Sequence, residues 1–172
     1  MQCSTCKVTY GIKIGDQVPC RMFWKKQSFT CDGEQAGQPT WEIEYSSPGG
    51  VLPTTQVNYH GDLRRAYVPD SEEGREVLAL LVKCFKRRLT LSIGFSVTRN
   101  AGNCIIWNGV HHKSRTSGGA AQYGYPDGGY FTRVKQELML KGINFKSDEE
   151  RDEAIDEVTT RVCMIQVGDV PR

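Results

Sequence analysis

Between Trp107 and Tyr130 the chain reads WNGVHHKSRTSGGAAQYGYPDGGY, a stretch with neither the alternation of a strand nor the spacing of a helix. Its six glycines work against any continuous regular element, so the fold must carry it as one long connection between a strand and a helix. Connections of that length are functional or disordered, and the aromatics Trp107, Tyr123, Tyr125 and Tyr130 argue against disorder. Two of the chain's three histidines lie here as well. Glycine lets backbone approach a ligand closely, and flat rings offer faces for stacking. The first expectation is a binding wall.

The segments on either side read as regular structure. Met22-Phe23-Trp24 and Trp41-Glu42-Ile43-Glu44-Tyr45 are expected strands, the second alternating apolar and acidic residues as a half-buried strand does. Ser47-Pro48-Gly49-Gly50 is a turn signal, and the chain from there to Asp62 reads as irregular. Val68-Pro69-Asp70 leads into the best helix, with Asp70 as the expected cap and Glu73 completing a capping box. Val77, Leu78, Leu81, Val82 and Phe85 follow at helical spacing, and Lys86-Arg87-Arg88 reads as a solvated last turn. Leu89 to Val97 and Asn103 to Trp107 are an expected hairpin turning at Arg99-Asn100-Ala101-Gly102. A second helix is expected from Tyr130 to Lys141, capped by Gly142, and a third from Ser147, with Glu150 closing its capping box. The last segment, Arg161 to Val170, either adds a strand or extends loosely. The expected class is α+β: a single compact domain whose mixed sheet is covered by two or three helices.

At 172 residues, 38% apolar and 24% charged, the chain has the composition of an ordinary single-domain globule. No apolar run reaches membrane-spanning length and no signal-peptide region is visible, so a cytoplasmic or nuclear protein without a membrane partner is expected. The net charge of +2 hides an asymmetry. Residues 148–172 hold eight acids and three bases, leaving nineteen bases, twelve acids and a net +7 in residues 1–147. A basic body of that kind attracts nucleotides, poly-ADP-ribose or nucleic acid; the alternative is a solvated surface with an acidic helix.

Seven cysteines are an odd number and argue against a disulfide framework. Cys84, Cys104 and Cys163 fall in apolar patterns. Cys3-Ser4-Thr5-Cys6 is half of a zinc site, since tetrahedral structural zinc takes four ligands. Cys20 and Cys31 form no second CxxC and His60 is distant, so either the missing ligands lie upstream of a domain cut at its N-terminal side, the favoured reading, or the pair is vestigial.

Several polar groups have both a structural and a chemical reading. Adjacent residues cannot share a face, so one ring of His111-His112 points inward and the other outward. Tyr123-Gly124-Tyr125-Pro126-Asp127 is either a rigid turn that packs Tyr125 and starts the next helix from Asp127, or an aromatic wall for a base or nicotinamide ring. Glu137 either pairs with Lys141 on the helix surface or turns inward towards His111, and the spacing favours the first. Ser96, near its strand's end, is either an ordinary strand serine or a hydroxyl within reach of a phosphate or ribose.

The ordered set Arg65-Ala66-Tyr67-Val68-Pro69-Asp70, Gly74-Arg75-Glu76-Val77-Leu78, Ile105-Ile106-Trp107-Asn108, His111-His112-Lys113 and Gly124-Tyr125-Pro126-Asp127 resembles the Deltex C-terminal domain. So does Tyr130-Phe131 followed by Val134, Glu137 and Leu138, while Cys3-Ser4-Thr5-Cys6-Lys7, Tyr10-Gly11 and Gly15-Asp16-Gln17 look like the end of a Deltex RING finger and its junction. The resemblance runs from Cys3 to about Ile143 and implies residues 1–20 as RING end and junction, 21–146 as the Deltex C-terminal domain and 147–172 as an acidic helical tail. It further implies a RING-type ubiquitin-protein ligase, a transferase whose RING recruits the ubiquitin-charged ubiquitin-conjugating enzyme and whose C-terminal domain draws in ADP-ribosylated proteins. The family is linked to Notch signalling and DNA-damage responses.

By the same resemblance, NAD or ADP-ribose is the ligand and zinc belongs to the RING, at Cys3 and Cys6 in this chain. The family's pocket positions fall on Ser96, His111, Tyr123 and Glu137, with Glu137 and His111 as the catalytic pair and Tyr123 suggesting the Deltex-3-like branch. Glu137 is then the expected acceptor of a ribose hydroxyl proton, so Glu137→Ala would spare binding more than His111→Ala. Cys20, Gly128, a shortened insert before Tyr59-His60-Gly61 and the tail depart from the family pattern. Those departures bear more on ligase activity than on nucleotide binding, and the alternative is a non-catalytic ADP-ribose reader.

Overall fold

The computed structural model describes residues 12–168, so the Cys3–Cys6 pair lies outside the described residues. The regular elements are β1 (Cys20–Gln27), β2 (Thr40–Ser47), β3 (Gly50–Val51), β4 (Asn58–Tyr59), β5 (Asp62–Pro69), α1 (Glu72–Lys86), β6 (Leu91–Ser96), β7 (Ala101–Trp107), α2 (Tyr130–Leu140), α3 (Asp148–Asp156) and β8 (Met164–Val167). The α+β expectation holds. The sheet is not mixed, however: a four-stranded sheet in the order β5-β2-β1-β8 and the two hairpins β3-β4 and β6-β7 are antiparallel at every pairing.

Alternation explains the sheet's inner face. Cys20, Met22 and Trp24 from β1 meet Ile43 and Tyr45 from β2 and Ala66 and Val68 from β5, all buried. α1 lies across this face and buries Val77, Leu78, Leu81, Val82 and Phe85, the residues its spacing selects. Each such side chain contributes about 1.5–3 kcal/mol of burial. α2 and α3 pack against α1 in turn. None of the described helices is long and apolar enough to cross a membrane.

Three local expectations are corrected. The cap of α1 is Ser71, whose hydroxyl accepts from the Gly74 N–H at 3.0 Å. Asp70 is drawn away by the Trp41 indole, Arg75 and Lys26. The hairpin reverses at Val97–Asn100, closed by the Asn100 N–H on the Val97 carbonyl, because a register shift between Gly94 and Ser96 moves the turn. Nor is the Lys86-Arg87-Arg88 end merely solvated: Arg87 donates to the Gly142 carbonyl and Arg88 to that of Gln17, tying the segment before β1 to the end of α1.

β5 is a strand that the sequence pattern does not announce, because Arg64 and Arg65 interrupt its hydrophobic alternation. Its register against β2 sets Arg65 opposite Glu44, with which it pairs at 3.2 Å. The C-terminal segment turns back after α3 so that β8 pairs with β1, and the Trp24 indole donates to the Val158 carbonyl. α2 ends with Gly142 at φ +75, its N–H on the Met139 carbonyl and that of Ile143 on Leu138, as the glycine foretold.

Candidate active site

β5, the β6-β7 hairpin and the glycine-rich connection enclose a cleft of about 730 Å³, within the usual range for small-molecule sites. Its floor is built from rings. Trp107, the last residue of β7, stacks on His112 with centroids 3.9 Å apart and planes 9° from parallel. The Tyr45 hydroxyl donates to His112 Nε2 at 2.9 Å, and His112 Nδ1–H donates to the Val110 carbonyl at 2.8 Å. With both nitrogens used and the ring buried, desolvation pushes His112 down to about 4 and keeps it neutral. His112 is thus the inward histidine, and its chemistry is spent on packing.

His111 is the outward one, its side chain 72% exposed on the cleft wall. α2 holds it from behind at three points. Glu137 accepts the His111 backbone N–H through Oε2 at 2.8 Å and meets ring Nδ1 through Oε1. The Tyr130 hydroxyl donates to the His111 carbonyl at 2.9 Å. Tyr130 and Glu137 are two helical turns apart, which places both on one face of α2. The surface pair with Lys141 that spacing favoured gives way to this inward arrangement, because the connection brings His111 back across the helix.

The GYPD turn divides its two readings between its tyrosines. Tyr125 is buried and donates to the Tyr67 carbonyl at 2.9 Å. Tyr123 stands 65% exposed on the cleft, in the left-handed region at φ +57. Asp127 pairs with Arg133 and with the buried Lys113; the Arg133 hydrogen bond, seconded by Lys113, holds its carboxyl at about 2. The cap of α2 is Gly129 rather than Asp127.

Ser96 is buried on the cleft wall, its hydroxyl accepting from the Arg99 N–H at 3.3 Å. Sequence reasoning singled out no arginine here, yet Arg64, Arg65, Arg99 and Arg115 all line the cleft. They come from β5, the hairpin tip and the connection, so no run of basic residues announces them. Arg64 lies over the Trp107 ring at 5.2 Å. Asp62 is shared between Arg64 at 3.0 Å and Arg99 at 2.6 Å.

Three of the expected site residues, Ser96, His111 and Tyr123, therefore meet on one cleft, with Glu137 behind His111 rather than on the wall. Among the described residues no group of three or more His, Cys, Asp or Glu side chains is placed to hold a metal ion.

A family model for the Deltex C-terminal domain matches residues 14–143. The chain is 41% identical over 146 residues to the human protein named "Probable E3 ubiquitin-protein ligase DTX3", covering 82% of this chain and 42% of that protein. It is 38% identical over 159 residues to the mouse protein named "E3 ubiquitin-protein ligase DTX4", covering 88% of this chain and 26% of that one, and 35% identical over 150 residues to human "E3 ubiquitin-protein ligase DTX1". The chain thus spans well under half the length of these relatives.

Proposed function

The chain belongs to the Deltex C-terminal domain family, and on that premise we propose that its cleft takes an ADP-ribose moiety, as the substrate-capturing part of a ubiquitin-protein ligase. The moiety is free ADP-ribose, NAD or an ADP-ribosylated protein. Ubiquitin and a ubiquitin-conjugating enzyme are the remaining partners, engaged through RING sequence of which Cys3 and Cys6 are zinc ligands.

The observation that carries this reading is the cleft's charge set beside its rings. Three guanidiniums, on Arg64, Arg99 and Arg115, face one carboxylate, Asp62, which leaves two positive charges unneutralised, while Arg65 is paired with Glu44. A doubly negative pyrophosphate fits that balance, and guanidinium forks suit its oxygens. Tyr123 offers a stacking face, while Ser96 and His111 offer hydrogen bonds to ribose or phosphate. An ADP-ribose bound here supplies a hydroxyl to which ubiquitin can be joined.

Calorimetric titration of the chain with ADP-ribose tests the reading. Saturable binding is expected, weakened about fivefold to thirtyfold by His111→Ala or Tyr123→Ala, each removing an interaction of about 1–2 kcal/mol. A parallel titration with single-stranded oligonucleotide shows whether the basic rim takes phosphodiesters generally. Heat from neither ligand at millimolar concentration sinks the proposal.

A further inference from the structure

The edge strand β5 is guarded along most of its open side. Its pairing with β2 alternates, and the Tyr67 N–H on the Lys113 carbonyl shows that Leu63, Arg65 and Tyr67 turn their main-chain groups outward. The glycine-rich connection seals Tyr67, whose carbonyl also accepts from the Tyr125 hydroxyl. The Leu63 N–H is capped by Asp62 Oδ1 at 2.9 Å, and Pro69 has no N–H. Among the described residues, that leaves the Leu63 carbonyl and both main-chain groups of Arg65 without a partner. Leu63 and Arg65 are exposed, and both line the cleft. Open edges invite pairing, and here the gap in the guard faces the proposed ADP-ribose site.

We propose that this gap binds the main chain of the ADP-ribosylated substrate, as an extended peptide added antiparallel to β5. The proposal rests on the ADP-ribose reading and adds the protein part of the substrate to it. Every strand pairing described in this protein is antiparallel. In that arrangement one peptide residue faces Arg65 and exchanges two hydrogen bonds with it, and the residue two further on donates to the Leu63 carbonyl. The residue between them stands opposite Arg64. Its own N–H and C=O point away from β5, and its side chain leaves on the same side as that of Arg64. That side is the cleft floor: the Arg64 guanidinium lies over the Trp107 ring at 5.2 Å and donates to the Ile105 carbonyl at 2.7 Å. The middle residue is therefore the one that carries ADP-ribose into the cleft, where Arg64, Arg99 and Arg115 meet its phosphates. The substrate class is ADP-ribose on a side chain of an extended tail or loop. A helical segment, whose main-chain donors are already used, does not qualify.

The full chain is titrated calorimetrically with ADP-ribose and with a five-residue peptide whose central serine carries ADP-ribose. The peptide conjugate is expected to bind about tenfold more tightly than ADP-ribose alone, the surplus of three main-chain hydrogen bonds over the ordering of the peptide. N-methylation of the residue before the serine deletes the donor to Arg65 and should weaken the conjugate about threefold to tenfold. N-methylation of the serine itself, whose N–H points away from β5, should change affinity by less than about twofold. On the protein side, Arg65→Pro deletes the N–H at an edge position where an outward N–H lets proline stand. Its ratio of conjugate to ADP-ribose affinity should fall about threefold to tenfold below that of Arg65→Ala, which loses the same charge but keeps the N–H. A conjugate no tighter than ADP-ribose overturns the proposal and leaves the ADP-ribose reading standing. Equal losses from N-methylation at the two positions overturn it as well. If neither ligand binds, the ADP-ribose reading falls and the proposal with it. Should Arg65→Pro fail to fold, the two N-methylated conjugates on the native chain still decide.

Discussion

Trp24 donates its indole N–H to the carbonyl of Val158 at 2.8 Å, joining the middle of the main sheet to the turn that follows α3. The C-terminal segment also supplies β8 as a neighbour for β1. Cutting the chain after residue 146 would leave a fully buried indole without an acceptor and a sheet edge uncovered. An unmet buried donor alone costs about 1–3 kcal/mol, and the lost apolar contacts add to it. The truncated chain should unfold at clearly lower urea concentration than the full one, or fail to fold. Superimposable urea curves would show that residues 147–172 are an appendage.

His112 links pH to stability. Its ordinary value of 6.5 is pushed down to about 4 by burial, so between those values the unfolded chain binds a proton that the native chain refuses. Stability present above pH 6.5 is lost as pH falls towards 4, by up to about 3 kcal/mol over the window. The measurement is the urea midpoint at intervals from pH 7.5 to 4.5, compared with His112→Gln. The wild type should lose stability more steeply across the window, although the variant starts lower for want of the Trp107 stack. Parallel slopes would mean that His112 titrates normally.

At the start of α1, Ser71→Ala should cost about 1 kcal/mol, the worth of an N-cap hydroxyl. Glu73→Ala should cost the cap nothing, since Glu73 instead pairs with Lys135 on α2. Equilibrium unfolding of the two variants decides it; a larger loss from Glu73→Ala would restore the capping box expected from the sequence.

That cap shows where the sequence stopped being readable. The apolar stripe of α1 and the alternation of β1 and β2 depend on local spacing, and both are visible in the residues. Asp70 and Ser71 are both good caps. The choice between them was made by Trp41, Lys26 and Arg75, of which Trp41 and Lys26 are remote in sequence and nothing local announces them. The site behaves alike. His111 and His112 had to diverge because neighbours alternate, but which faced inward was set by Tyr45 on β2. The four arginines of the cleft were invisible because three elements contribute them.

Arg115 is the cleft arginine to test for charge. Its guanidinium donates to the amide oxygen of Gln122 at 3.2 Å, whereas Arg64 and Arg99 share Asp62 and Arg65 has Glu44. Arg115→Ala should weaken ADP-ribose binding about tenfold, as loss of a charge-assisted hydrogen bond would, and leave adenosine binding within about twofold. The wild-type advantage should shrink as salt rises. Equal losses for adenosine and ADP-ribose would place Arg115 away from the phosphates.

Tyr123 separates stability from binding. A tyrosine at φ +57 carries a backbone cost of about 1–2 kcal/mol that glycine does not. Glycine in turn loses about 0.5–1 kcal/mol through the freedom of its unfolded chain. The tyrosine ring is 65% exposed, so little burial is forfeited on removing it. Tyr123→Gly should therefore leave the chain as stable as before or up to about 1.5 kcal/mol more so, while ADP-ribose affinity falls about tenfold with the stacking face. Strain kept at an exposed aromatic is what a binding role predicts and a packing role does not. Thermal melting and calorimetry on the same preparation check the two halves. A destabilised variant with unchanged affinity would make Tyr123 a structural residue and remove it from the site.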